Sequence, residues 1–145
     1  MSKIIPRENP CYCIRIRRAE NALTKFYDRA FRTLNLTASQ FSLLNDIHLL
    51  ETCNKSELAV FAKLDRTTIV RNLRVLKEKK LIMETAGGHG RSTAIRLTAL
   101  GESHLKKGLV LWEQIQRNIE QKIGPDKIGD FTEILTLLSN LGGTI

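Results

Sequence analysis

The stretch from residue 54 to residue 98 constrains the fold of this chain most. Asn54-Lys-Ser-Glu-Leu-Ala-Val-Phe-Ala62 reads as a short helix, and Lys63-Leu-Asp65 as a tight turn. A second helix runs from Arg66 to about Lys80. The strand-like Leu81-Ile-Met-Glu84, the tip Gly87-Gly-His-Gly-Arg91 and the returning Ala94-Ile-Arg-Leu-Thr98 then make a basic hairpin. Two short helices, a turn and a hairpin in this order are what a winged helix-turn-helix needs. Such a module places its second helix in the major groove of DNA.

Local chemistry supports these boundaries. Asn54 can cap the first helix, with Glu57 at the reciprocal capping-box position. Leu58, Ala59 and Ala62 give that helix an inner face. Asp65 can cap the second helix, where its negative charge suits the positive end of the helix dipole. Ile69, Leu73 and Leu76 recur at helical spacing and predict one buried stripe. The other faces of this helix carry Thr67, Thr68, Arg71, Asn72, Arg74 and Lys77. Hydroxyls, an amide and guanidinium groups can meet base edges and phosphates. Most charged helix faces are merely solvated. This one is distinguished by the hairpin that follows it and by its shortage of carboxylates.

Charge is distributed to match. The net charge is +8, and residues 63–98 hold nine Lys/Arg against three Asp/Glu, whereas residues 99–145 hold five against six. Positive charge thus concentrates on the module that would release counterions from DNA. Residues 1–32 are also basic, with eight Lys/Arg against three Asp/Glu. No apolar run approaches a membrane span and no signal-peptide core is evident, so a cytoplasmic protein without a membrane partner is expected. Three cysteines do not suggest a disulfide framework. Cys11-Tyr-Cys13 has the wrong spacing for zinc, so neither a metal nor a cofactor is implied. His48, His89 and His104 lack a carboxylate and a nucleophile at recognisable spacing, which argues against an enzyme. A non-specific architectural DNA-binding protein is the stronger rival, because a charge of +8 alone would bind DNA.

Outside the module the pattern is helical. A helix is expected over about 11–34, with Ile16, Leu23, Phe26, Ala30 and Leu34 on one face and Asn35 at its end. Thr37-Ala-Ser-Gln40 is a capping box for the next helix, which turns Phe41, Leu44 and Ile47 inward. Thr98 caps a long helix over about 98–122, with Leu105, Leu109, Trp112, Ile115 or Gln116, and Ile119 on its stripe. Gly124-Pro125-Asp126 breaks it, and a last helix over about 126–141 carries Ile128, Phe131, Leu135, Leu138 and Leu141. These terminal helices hold more apolar surface than one small lobe can cover. A twofold homodimer built from both chain ends is the economical solution, and it would pair two half-sites about one helical turn apart. Folding back onto the module as a monomer is the alternative.

The segments Leu36-Thr-Ala-Ser-Gln-Phe-Ser-Leu-Leu44, Glu57-Leu-Ala59, Leu64-Asp-Arg-Thr-Thr-Ile-Val-Arg-Asn-Leu73, Leu76-Lys-Glu-Lys-Lys-Leu-Ile82 and Leu97-Thr-Ala-Leu-Gly101, in this order, resemble the MarR family of bacterial transcriptional regulators. The resemblance spans about residues 11–141. It implies a mainly α fold with a small β-hairpin, a single domain over 1–145, in which 37–98 form the DNA-binding lobe and 1–36 with 99–145 the dimerisation lobe. It implies a homodimer on palindromic double-stranded DNA, usually a repressor, with a crevice for a small-molecule effector. The family's recognition contacts fall on Thr67, Thr68, Arg71 and Asn72, with Arg66 and Arg74 as neighbours. Its wing-tip arginine falls on Arg91, but the acidic residue that often orients it is His89 here.

Two modes of sensing follow from the resemblance. In the family's organic-hydroperoxide sensors a reactive cysteine near the start of the first helix falls on Cys13. A tyrosine contacting it from the other subunit falls on Tyr27. A second tyrosine, four residues beyond the cysteine, is Arg17 here, so the redox match is half complete. Cys11 and Cys13 as plain packing residues are the alternative, and Cys53 has no evident chemistry. Phe26, Phe31, Phe41, His48 and Trp112 are candidates for lining an effector crevice, although such residues are more often core.

Overall fold

A computed structural model describes residues 7–8, 10–86 and 93–143. Six helices and one hairpin follow in order: α1 (Tyr12–Phe31), α2 (Ala38–Leu50), α3 (Lys55–Ala62), α4 (Arg66–Glu78), β1 (Ile82–Thr85), β2 (Ala94–Leu97), α5 (Ala99–Ile123) and α6 (Pro125–Ser139). Short 3-10 turns close α1 at Arg32–Leu34 and follow α6 at Leu141–Gly143. The chain forms two compact units, residues 1–109 and 110–145.

The first unit holds the helix-turn-helix. Both capping boxes form: the Thr37 hydroxyl accepts the Gln40 N–H at 3.2 Å, and the Asn54 carboxamide accepts the Glu57 N–H at 2.9 Å. α3 ends on Lys63 in the left-handed region (φ 52°), and the Leu64 N–H reaches back to the Ala59 carbonyl at 3.1 Å. That bond satisfies a carbonyl the helix end would otherwise orphan and aims the chain into α4. The expected stripe is buried: Ile69, Leu73 and Leu76 pack with Leu43, Leu44, Ile47, Leu58, Leu81 and Ile95 in the core. The end of α1 joins this core through Phe31, whose ring stacks on Phe41 with centroids 4.4 Å apart.

The α1 pattern differs from expectation. Ile16 and Leu23 are exposed, and the anchor is Phe31, which the predicted face omitted. Only the last turns of α1 meet α2 in this unit, so helical spacing alone could not say which stretch is covered. The hairpin pairs Ile82 with Leu97, Met83 with Arg96, Glu84 with Ile95 and Thr85 with Ala94. Cys53 adds an isolated bridge to Ile95, with N–H to carbonyl distances of 3.1 and 2.7 Å. Cys53 is therefore a buried sheet residue, and burial together with the nearby Glu57 carboxylate pushes its thiol pKa up.

In the second unit α5 stops at Ile123 and Gly124 takes φ 95°, a conformation that suits glycine. Pro125 then starts α6 at a position where no N–H is needed. Ile115 is buried, but Phe131, Ile134, Leu135, Leu137, Leu138 and Leu141 are all substantially exposed. No helix among the described residues is long and apolar enough to cross a membrane.

Candidate nucleic-acid interface

α4 presents the polar surface on which a DNA interface can be built. Its start is locked by Asp65, whose carboxylate accepts the Thr68 hydroxyl at 2.6 Å and the Thr68 N–H at 2.9 Å. These bonds, the hydroxyl's first, hold the Asp65 carboxyl below its usual range. Arg66, Thr67, Arg71 and Arg74 are exposed, on the side away from the buried stripe. Arg74 pairs with Glu78 at 3.8 Å in an exposed contact that solvent weakens.

Two of the sequence candidates are engaged internally. The Thr68 hydroxyl proton is committed to Asp65. Asn72 is buried, at 8% exposure, and its Nδ2 donates to the Ser39 hydroxyl at 3.3 Å and to the Thr68 carbonyl at 3.1 Å. The sequence placed Asn72 on the polar face. Yet it lies three residues after Ile69 and four before Leu76, which puts it at the edge of the buried stripe, and that spacing was the available signal. Its carboxamide ties α4 to the first turn of α2. Lys79 adds a second tie, donating to the Asn35 carbonyl and to Gln40 Oε1. Asn72→Ala should therefore lower stability by about 1–2 kcal/mol through two lost hydrogen bonds. Thermal melting checks it, and a melt superimposable on the wild type would show that the ties to Ser39 and Thr68 contribute nothing.

Lys77 reaches Glu84 at 3.3 Å and Lys55 approaches the same carboxylate at 3.9 Å, so Glu84 gathers α3, α4 and β1 around one charge. Arg91 and His89, with Gly87, Gly88 and Gly90, lie outside the described residues.

The other sequence candidates are scattered. Cys11 and Cys13 are exposed free thiols at the start of α1. Tyr27 lies fourteen residues further along the same helix, about 21 Å away at the α-helical rise, so within one chain the two side chains cannot meet. Tyr27 stacks beside Phe31 instead, at 6.3 Å, and burial raises its phenol pKa. A thiol reagent should label two cysteines rapidly in the native protein and the third, Cys53, only after denaturation; rapid labelling of all three would contradict its burial.

Phe31 and Phe41 belong to the core. His48 does have a carboxylate partner, Glu102 Oε1 at 3.1 Å, which the sequence separation of 54 residues concealed. The pair flanks a pocket of about 260 Å³ lined by Ile47, His48, Glu51, Leu97 and Glu102. This lining offers no nucleophile. Among the described residues no group of three or more His, Cys, Asp or Glu could hold a metal ion.

Comparison with known proteins agrees with this geometry. Residues 36–101 match the family model described as a winged helix DNA-binding domain. The M. tuberculosis transcriptional regulator MosR, solved in complex with DNA, is 36% identical over 89% of this chain and 96% of its own, with a TM-score of 0.74. A cysteine-to-serine mutant of E. coli MarR complexed with operator DNA gives a TM-score of 0.78 at 18% identity, over 85% of this chain and 89% of its own. The organohalide-sensing regulator RdhR, in its ligand-free form, gives 0.82 at 16% identity, over 88% and 76%. The last two likenesses are of fold. No curated protein sequence matches the chain.

Proposed function

Since the chain belongs to the MarR family of transcriptional regulators, and is a winged-helix DNA-binding protein of that family, we propose that it acts as a homodimeric repressor of palindromic operators. The observation that carries this reading is the exposed row Arg66, Thr67, Arg71 and Arg74 on a helix whose opposite side is anchored in the core. Arginines in such a row meet phosphates and guanine edges, and the threonine hydroxyl meets either. Thr68 and Asn72 hold the helix in position, and Arg91 adds a minor-groove contact.

Dimerisation is supported by α6, whose apolar side chains Phe131, Ile134, Leu135, Leu137 and Leu138 are left 36–61% exposed. Residues 1–36 and 99–145 supply the dimerisation lobe, and residues 37–98 the DNA lobe. The twofold axis then sets two copies of α4 about one turn of DNA apart. A small-molecule effector releases the operator by changing that spacing.

The test is a footprint on the DNA upstream of the protein's own gene, followed by titration of the protected duplex against a random one at fixed salt. A protected palindrome bound far more tightly than random DNA is expected, with sedimentation giving about twice 16.5 kDa. Equal affinity for the two duplexes would make the protein an architectural DNA binder, and a monomer would remove the palindrome.

Redox release is a second reading, favoured by the exposure of Cys13 in the first turn of α1. An organic hydroperoxide would convert its thiol to a sulfenic acid and leave as the alcohol. Tyr27 could reach it only from the partner copy. In that case Cys13→Ser binds DNA normally and ignores hydroperoxide, whereas Cys11→Ser and Cys53→Ser still respond. Operator binding that survives oxidation of Cys13 would leave the effector reading alone.

A further inference from the structure

The exposed face of α4 contains one side chain that the polar reading does not explain. Val70 is 43% exposed. Its neighbours at i−4, i−3 and i+4 are Arg66, Thr67 and Arg74, all exposed; on a helix such residues are adjacent, with Cβ atoms about 5–6 Å apart. Val70 takes no part in the buried set Ile69, Asn72, Leu73 and Leu76 of the same helix. Nor does it serve the helix locally, because a β-branched residue is a mediocre helix former. Scattered apolar residues on a surface are ordinary. This one stands among the groups that would face base edges, where each side chain is a choice of base.

Valine can neither donate nor accept a hydrogen bond. Beside a polar base edge it would leave a donor or acceptor stripped of water and unpaired. In the major groove one base of the four presents an apolar group, the C5-methyl of thymine. We propose that Val70 packs against a thymine methyl in each half-site and so specifies that base, while the arginines and Thr67 supply polar contacts around it. This rests on the DNA-reading function proposed above and adds a base preference to it.

The test begins with duplexes selected from a random pool by the full-length protein. Each thymidine of the preferred sequence is then replaced singly by deoxyuridine, which lacks only the methyl. At one position per half-site, affinity should fall about fourfold, the effect of burying one methyl-sized group. Val70→Ala, which removes the contact from both half-sites of the dimer, should lower affinity for the thymine duplex by about sixteenfold, the fourfold effect taken twice, and no longer distinguish deoxyuridine from thymidine there. Val70→Thr, of equal shape, serves as the second variant and should retain part of the discrimination through its remaining methyl. The inference is overturned if no thymine shows a methyl dependence that Val70→Ala abolishes. It is equally overturned if Val70→Ala melts early yet keeps full methyl discrimination, because Val70 would then be a packing residue. A pool that yields no preferred sequence would remove the DNA-reading function itself, and this inference with it. A preferred sequence bound independently of every methyl removes the inference alone.

Discussion

Gly101→Ala should destabilise the protein by about 3 kcal/mol or more, lowering the melting temperature by about 10 °C for a chain of this size. Gly101 lies in the first turn of α5, and a Cβ built on it would sit 2.0 Å from the Leu81 carbonyl oxygen and 3.0 Å from its carbon. Those are backbone atoms of a buried residue, so no rotamer change can relieve the clash. The carbonyl is also held in place. It accepts the Thr98 N–H at 3.0 Å, while the Thr98 hydroxyl donates to the Lys80 carbonyl at 2.7 Å and accepts the Gly101 N–H at 3.0 Å. Making room for a methyl group would break the cap of α5 and the junction between α4 and β1 together. Gly129→Ala supplies the contrast. That glycine is in α6 with nothing within 4 Å of the added Cβ, so alanine should raise stability by up to about 1 kcal/mol through helix propensity. A Gly101→Ala protein that melts within about 2 °C of the wild type, less than the shift expected for 1 kcal/mol, would mean that this junction is looser than its hydrogen bonds imply.

Arg71→Ala should leave melting and helicity unchanged and weaken operator binding roughly fivefold to 160-fold for each half-site, the range for a bidentate base contact of about 1–3 kcal/mol. Arg71 is exposed and makes no ion pair among the described residues, so the fold does not depend on its guanidinium. Arg74 makes a useful comparison. Its side chain shares charge with Glu78 at 3.8 Å, so Arg74→Ala should weaken binding less, about uniformly across sequences, and reduce the salt slope by about two units, one for each subunit. The decisive measurement is titration of specific and mismatched duplexes at two salt concentrations. Arg71→Ala binding with wild-type affinity would remove Arg71 from the interface and leave the recognition surface to Arg66, Thr67 and Val70.

By itself the sequence determined what depends on neighbours within a few residues. Thr37 with Gln40, Asn54 with Glu57 and Asp65 at the start of α4 announced their helices, because a cap closes its hydrogen bonds within three residues. The Ile69–Leu73–Leu76 stripe followed from helical period alone, and Gly124-Pro125 marked the break between α5 and α6 for equally local reasons. Tertiary structure decided what depends on segments far apart in the chain. Asn72 looks like any polar residue until α2 brings Ser39 against it across 33 positions. Glu102 becomes the partner of His48 only when the start of α5 returns to the end of α2. Cys53 acquires its place by bridging to Ile95, and Gly101 its importance by meeting Leu81. The physical reason is the same in each case. Periodicity and capping chemistry tell which face of a helix is apolar, but the burial of a particular atom depends on which other element covers it. That was settled only when the helices and the hairpin packed together.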